Sequence, residues 1–478
     1  MARIFTALLS ADLVGRALAA IATIIVVRAL APDEFGQVAF VLAAAATLGV
    51  LADLGLPLLL VRDISADPAS APRLLGASLE CVAVLGGTVF GAAALITVIA
   101  GVPGPATGGA MVLGLVVLAA NSLIRPFEAT LTGCGRAHLI TLEHAIRGTT
   151  LVGATALVAA IGPSPVAFLG AAAVSETAGL VVIASLSATR VTRPEFGARA
   201  HEVVALGRRS LPFALLAGFS LIYLRIDLIM LGLLGSHSAV GNYGVAARIL
   251  DTSLAVPAYF GGAFLATIAQ TGVGERQTAA QTETALRYLL LLAAPLAFVL
   301  AFTADPLVHL IAGSSYDDAG TILVRLSPVL VLASAYAVLG NLQVALNRIR
   351  LLAGISLAGI ALKLALNAWA IPLYGANGAA LAAVGGELLV VGAQWYFARE
   401  DIDAARLAGW CGRLAIAAAA MVGVGLLALD ALSWPAALAL GLSTFAVFAL
   451  LTRVISIGEL RVVLGSVDIG RPGDIASP

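Results

Sequence analysis

The sequence predicts an all-α polytopic membrane protein with about fourteen transmembrane helices, and three observations carry that prediction. Hydrophobic residues make up 60% of the 478-residue chain and charged residues 11%, against about 25% charged in a soluble domain. Mean hydropathy is +1.03. Apolar runs of about twenty residues recur along the whole length, each long enough to cross a bilayer as a helix. Arginine is confined to every second loop, which fixes an orientation as well as a span count.

A window of about twenty residues places spans near 8–30, 37–61, 74–100, 110–132, 139–161, 165–187, 208–234, 240–270, 286–304, 319–345, 351–371, 376–397, 407–429 and 433–454. The first is read as an uncleaved span. Asp12 and Arg16 interrupt what would be a signal-peptide core, and the apolar pattern runs on to Leu30. The last two are plainer, rich in Ala and Leu. Pro57, Pro126, Pro212, Pro257, Pro295 and Pro328 interrupt helical hydrogen bonding and mark kinks or hinges. The 50 glycines suit close helix approach.

Counted from a cytoplasmic start, the even-numbered loops carry the cations. They hold Arg62 and Arg73, then Arg136, then the group Arg190, Arg193, Arg199, Arg208 and Arg209. Arg276 with Arg287, Arg348 with Arg350, and Arg399, Arg406 and Arg413 continue the series, and the tail adds Arg453, Arg461 and Arg471. The odd-numbered loops, among them APDEFG, GPSP, GSHSAVG and YGANG, hold neither Arg nor Lys. Both termini are therefore expected in the cytoplasm.

Internal repetition divides the chain further. Phe35-Gly36-Gln37 opens the second span as Val240-Gly241-Asn242 opens the eighth, and AAAVSETAGLVV around Glu176 is matched by LAAVGGELLVV around Glu387. The matches describe an N-terminal six-helix lobe, 1–187, and a C-terminal six-helix lobe, 208–398, related as a parallel repeat. A basic linker, 188–207, joins them; two additional helices, 399–455, and a tail, 456–478, follow.

Charges placed inside the spans single out candidate site residues, because ionisable groups at that depth face a bundle interior or a wet cavity rather than lipid. Counting 1.5 Å per residue puts Asp227 and Arg248 each roughly 12 Å below the hairpin tip at Gly235-Ser236-His237, with Arg225 and Asp251 nearby. Arg16 lies roughly 12 Å in from the cytoplasmic side with Asp53 at similar depth, and Asp12, Arg125, Glu128, Glu143 and Arg147 fall in the same inner third. Lys363 is near or beyond the middle; Glu176 and Glu387 are near the midplane. The functional reading is a cavity between lobes whose cations, Lys363 among them, meet an anion such as phosphate, which the planar arginine fork suits. The plainer reading is mutual neutralisation, Arg16 with Asp53 and Asp227 with Arg248, while Lys363 has no obvious carboxylate beside it. Arg28, Arg125 and Arg147 are read as snorkelling to the interfaces. Glu176 and Glu387 are read as lobe packing or coupling residues, as is Asp12.

Several functions are excluded or disfavoured. Lys363 is the only lysine and sits in ALKLA, so there is no Walker A loop. Net charge is zero, giving no bulk attraction to nucleic acid. Cys81, Cys134 and Cys411 are isolated, and no histidine pair has metal-ligand spacing. An enzyme acting on lipid-linked sugars should carry catalytic residues on a sizeable outer loop; the outer loops are mostly short and lack base–nucleophile pairs.

The stretches Gly15-Arg16, RALAPDEFGQVAFVLAAAATLGVLADLGLPLLLVRDI, RIDLIMLGLLG, VGNYGVAARI, TGCGRAHL, ALNRIRLL and AIPLYGANGAALAAVGGE resemble polysaccharide flippases of the O-antigen type. These belong to the multidrug, oligosaccharidyl-lipid and polysaccharide exporter superfamily. The resemblance covers most of the chain through about Arg399. It implies two six-helix lobes in a V with pseudo-twofold symmetry, alternating access and no ATP hydrolysis, in a bacterial cytoplasmic membrane. The implied substrate is an undecaprenyl-pyrophosphate-linked oligosaccharide moved to the outer leaflet for cell-surface polysaccharide biosynthesis. Arg16, Asp53, Arg225, Asp227, Arg248 and Asp251 carry over as cavity residues. Membrane lipids and a polysaccharide polymerase or glycosyltransferases are the implied partners. No cofactor is expected, and the coupling ion, H+ or Na+, is left open. A lipid II flippase and a cation-coupled multidrug antiporter share the architecture and stand as alternatives.

Overall fold

The computed structural model describes the backbone of residues 2–99, 105–255, 275–346 and 348–455. It describes their side chains apart from those of 2–13, 50–51, 93–99, 105–107, 212–222, 224, 275–279 and 349. Pro257 and the side chain of Asp12 thus lie outside the described residues. Within them the chain is helical with no strand, as a segment in lipid must be when every backbone polar group has to be satisfied within its own segment.

The helices are α1 (Ala2–Ala29), α2 (Pro32–Asp53), α3 (Leu56–Ala66), α4 (Ala71–Ile99), α5 (Pro105–Gly133), α6 (His138–Ile161), α7 (Pro165–Arg190), α8 (Ala200–Leu234) and α9 (His237–Ser253). There follow α10 (Glu275–Phe302), α11 (Ala304–Ala312), α12 (Asp317–Leu326), α13 (Pro328–Ala345), α14 (Ile349–Ala398), α15 (Ala404–Ala428) and α16 (Trp434–Leu451). Among the described residues nine helices are long and apolar enough to cross a membrane. Large apolar side chains such as Val84, Leu157, Ile161, Leu388 and Leu427 stand exposed, which suits a surface bathed in lipid rather than water.

Two expected spans are each broken into two helices. The second is two helices, because Leu54 (φ 43°) and Gly55 (φ 68°) turn left-handed and the Asp53 carboxylate accepts the Gly55 N–H at 3.0 Å. The tenth is divided between α12 and α13 at Ser327-Pro328, where proline takes the first position of a new helix. The long α14 is two helices meeting at Gly375, whose φ of 57° and ψ of −133° end the first. They run back along each other: a Cβ on Gly378 would strike the carbonyl of Ala370, one on Gly386 would touch the Lys363 stem, and one on Gly359 would meet Val390. The eleventh and twelfth expected spans are the arms of this hairpin.

The chain forms two compact units. Unit 1 comprises Met1–Ser253, Ala304–Leu326 and Ala353–Val390; unit 2 comprises Leu254–Thr303, Ser327–Leu352 and Val391–Pro478. In unit 1, α1 packs on α6, α5 on α7, and α2 against both α5 and α9. Small residues permit these approaches: a Cβ on Gly148 would overlap the Leu18 side chain, and one on Gly36 the carbonyl of His237. Arg28, exposed, donates to the carbonyls of Leu310 and Ile311 at the end of α11, where a helix has acceptors to spare. Tyr316, fully buried, donates its hydroxyl to the Leu30 carbonyl at 3.1 Å. Burial first, then the Glu34 carboxylate, push its phenol pKa well up.

In unit 2, α10 packs on α13, and α15 on α16. Phe298 of α10 sits where Cβ atoms at Gly425 and Gly441 would stand. Trp410 donates its indole N–H to the Val454 carbonyl at 2.9 Å, and Arg348 grips Asp401 with two bonds of 2.6 and 2.9 Å.

Candidate functional site

A cavity of about 330 Å³ lies within unit 1. Its wall is mostly small apolar side chains of α1, α2, α5, α6 and α7, with α8 and α9 closing it. The polar exceptions are Thr23, Asn121, Thr155, Glu176, Arg225 and Arg248. Helical periodicity explains the last two, since Arg225 with Leu228 on α8, and Gly244 with Arg248 on α9, lie three or four residues apart on one face.

Arg248 is exposed where it lines the cavity. Arg225 pairs with Asp251 at 3.1 Å, and both side chains keep about a third of their exposure (30% and 33%). Opposite them, Glu176 on α7 accepts Arg147 of α6 at 3.1 Å and Asn121 of α5 at 3.4 Å. The result is two guanidinium groups offered to one apolar chamber, one of them balanced by Asp251, and a carboxylate already engaged on the far wall. Such a site has donors for an anion and no nucleophile–base pair among its polar members.

Arg16 is exposed one turn before Ala19, the first cavity-lining residue of α1. Asp53 is buried and takes Arg125 at 2.5 Å. Asp227 takes Lys363 at 2.7 Å, not Arg248. Lys363 thus has its carboxylate, reached across space from the α14 hairpin to α8. Its ammonium also donates to the Tyr223 carbonyl at 2.9 Å and sits 4.4 Å from the Tyr223 ring centre. Asn367, one turn further on, donates to Asp227 at 2.7 Å, and Glu387 on the other arm of the hairpin is buried. Asn367 went unnoticed in the sequence, although its position four residues after Lys363 puts both on one helix face.

A further cluster joins α5, α6 and α7. His144 stands 3.1 Å from Glu128 and 3.6 Å from the buried Glu143, and Arg147 lies 3.0 Å from Glu143. Arg147 therefore does not snorkel; it bridges Glu143 and Glu176 with little exposure. Ligand atoms of Glu128, Glu143 and His144 lie within 4.8 Å of one another, a donor set with the chemistry to hold a cation. The Arg147 guanidinium already stands against it.

The family model for polysaccharide biosynthesis proteins matches residues 2–271. Among solved structures, an inward closed conformation of the lipid II flippase MurJ superposes with a TM-score of 0.74 at 12% identity, covering 95% of this chain and 98% of that one. An inward-facing multidrug resistance MATE family transporter of the MOP superfamily gives 0.65 at 18% identity, covering 84% and 98%. A MOP superfamily transporter from Pyrococcus furiosus gives 0.57 at 17%, covering 85% and 95%. No curated protein matches the chain in sequence. At these identities the structures speak for the fold: a multi-pass helical membrane protein built like known flippases and transporters.

Proposed function

The chain belongs to the polysaccharide biosynthesis protein family, and on that premise we propose that it is a flippase for an undecaprenyl-pyrophosphate-linked oligosaccharide. The observation that carries this reading is the pair Arg225 and Arg248 on the wall of an otherwise apolar chamber. A diphosphate offers several acceptor oxygens to two guanidinium forks, while the small apolar wall suits a sugar–lipid junction. Arg16, a turn before the cavity, gathers the diphosphate on entry. Asp251, the buried Asp227–Lys363 pair and the Asp53–Arg125 pair hold the cationic helices in register. Asp12, Glu176 and Glu387 serve coupling or packing.

Movement is by alternating access, the repeat-related lobes 1–187 and 208–398, paired about an axis along the membrane normal, rocking against each other to open the cavity to one side and then the other. The linker 188–207 and both termini lie in the cytoplasm of a bacterial inner membrane. Carrying a phosphate-bearing headgroup outward is favoured by a negative interior at ~2.3 kcal/mol per charge per 100 mV.

The test is flipping of a fluorescent polyprenyl-diphosphate oligosaccharide in vesicles containing the purified protein. Wild type is expected to flip, and R225Q/R248Q to flip at least about tenfold more slowly, the equivalent of one lost charged contact of about 1.4 kcal/mol or more. A wild-type rate in the double variant sinks the cavity assignment. Faster flipping of lipid II, or proton-driven efflux of an organic cation in its place, would assign the chain to one of its two rivals. On this reading glycosyltransferases act before this step and a polysaccharide polymerase after it.

A further inference from the structure

A second cavity, of about 230 Å³, lies within unit 2 where α10, α15 and the end of α16 come together. Four of its lining residues are arginines: Arg287 of α10, Arg406 and Arg413 of α15, and Arg453 just past α16. They come from two loops of the arginine-bearing series and from the tail, and no local pattern announces that they converge. Four like charges around so small a volume repel one another.

The carboxylates nearby are already engaged. Glu283 stands 4.0 Å from Arg287 and accepts the Asp403 backbone N–H at 2.8 Å. Asp403 in turn caps α15 by accepting the Arg406 N–H at 3.1 Å. The Nε of Arg287 is buried and has no hydrogen-bond partner among the described residues. Arg413 reaches the carbonyls of Gly409 and Thr452, each at 3.4 Å. Arg453 is held with φ 55°, one of two left-handed non-glycine residues described. That helix-end position ordinarily goes to glycine, so the arginine side chain is kept there at the expense of backbone strain. The Trp410–Val454 bond fixes the same turn.

The remaining wall is Tyr288, Leu291, Trp410, Val454 and Ile455, with the Thr284 hydroxyl. Cations gathered beside an aromatic and aliphatic wall suit an amphiphile whose head is anionic. The geometry points to a binding site for the phosphate headgroup of an anionic membrane lipid, separate from the cavity of unit 1. Arg287, Arg406, Arg413 and Arg453 bind the phosphate oxygens; Tyr288 and Trp410 flank the glycerol. The bound lipid is retained, cross-linking α10 to α15 and α16, and does not itself cross the membrane. None of this rests on the transport reading.

The test uses the full-length protein in detergent, titrated separately with phosphatidylglycerol, phosphatidylcholine and inorganic phosphate, and followed by melting temperature and native mass spectrometry. Phosphatidylglycerol is expected to raise the melting temperature and stay bound, phosphatidylcholine and inorganic phosphate to do neither. R406Q/R413Q is expected to weaken phosphatidylglycerol about tenfold or more, whereas R190Q/R193Q, with the same charge removed from the linker, binds as wild type. R453Q, which leaves every helix intact, is expected to lose about fivefold and serves if the double variant fails to fold. Unchanged phosphatidylglycerol affinity in these variants overturns the site. Inorganic phosphate reproducing the whole effect overturns the lipid as its source.

Discussion

Lys363, the only lysine in the chain, illustrates how a buried charge is stabilised by what surrounds it. Its side chain and that of Asp227 are each 5% exposed, with the charged ends 2.7 Å apart, and Asn367 donates to the same carboxylate. Removing one member of such a pair leaves an uncompensated charge and costs about 3–5 kcal/mol. We therefore expect K363M to lower the denaturation midpoint sharply, and D227N/K363M to recover much of the loss, since the second change removes the orphaned charge. A double variant no better than K363M would show that the pair's hydrogen bonds, not its charges, matter. In the sequence both residues were legible as deep charges, but their meeting was not: they are 136 positions apart, on α8 and α14. The same holds for Asp53, which was matched by depth with Arg16 and takes Arg125.

At the scale of elements, the repeat noticed in the sequence acquires a physical role. Gly36 and Gly241, each in its repeat's opening motif, meet at the crossing of α2 and α9. A Cβ on Gly36 would strike the carbonyl of His237, and one on Gly241 the carbonyl of Pro32. Backbone cannot yield as a side chain can, so G36A and G241A are each expected to cost about 1–3 kcal/mol. G87A, with nothing within 4 Å of the new methyl, should be neutral by thermal unfolding in detergent. Equal midpoints for all three would mean the helices separate without cost. At the start of α8 the Glu202 carboxylate accepts the Arg199 N–H at 3.1 Å and pairs with Arg73. The Arg199 bond first, and Arg73 after it, hold its pKa below the ordinary carboxylate value of 4.5. A lowered pKa stabilises the folded end above the unfolded value, and that contribution disappears as pH falls through the lowered one. Hydrogen-exchange protection of the first turn of α8, corrected for intrinsic rates, should drop below about pH 4.5 in wild type. In E202Q it should be pH-independent over the same range.

Across the whole molecule, the alternation of arginine-bearing loops makes an orientation testable. With Cys81, Cys134 and Cys411 replaced by alanine, S236C is expected to react with an impermeant thiol reagent in intact cells, and R193C only after lysis. The opposite pattern would invert the chain and with it the direction of export. The membrane class and the helical fold could be read from the sequence because they rest on quantities summed along it, above all the length of its apolar runs. Broken spans were readable in part, since Pro328 and Pro57 each stand in the first turn of the helix that follows the break, whereas the left-handed turn at Leu54-Gly55 itself is marked by glycine alone. Which charges pair, and that four arginines from two loops and the tail surround one cavity, only the tertiary structure decided. Depth along a helix follows from counting residues, but a partner is set by each helix's rotation about its axis and by which helices become neighbours. Those are fixed by packing contacts, such as Gly148 on Leu18 and Phe298 against Gly425, between residues far apart in the chain.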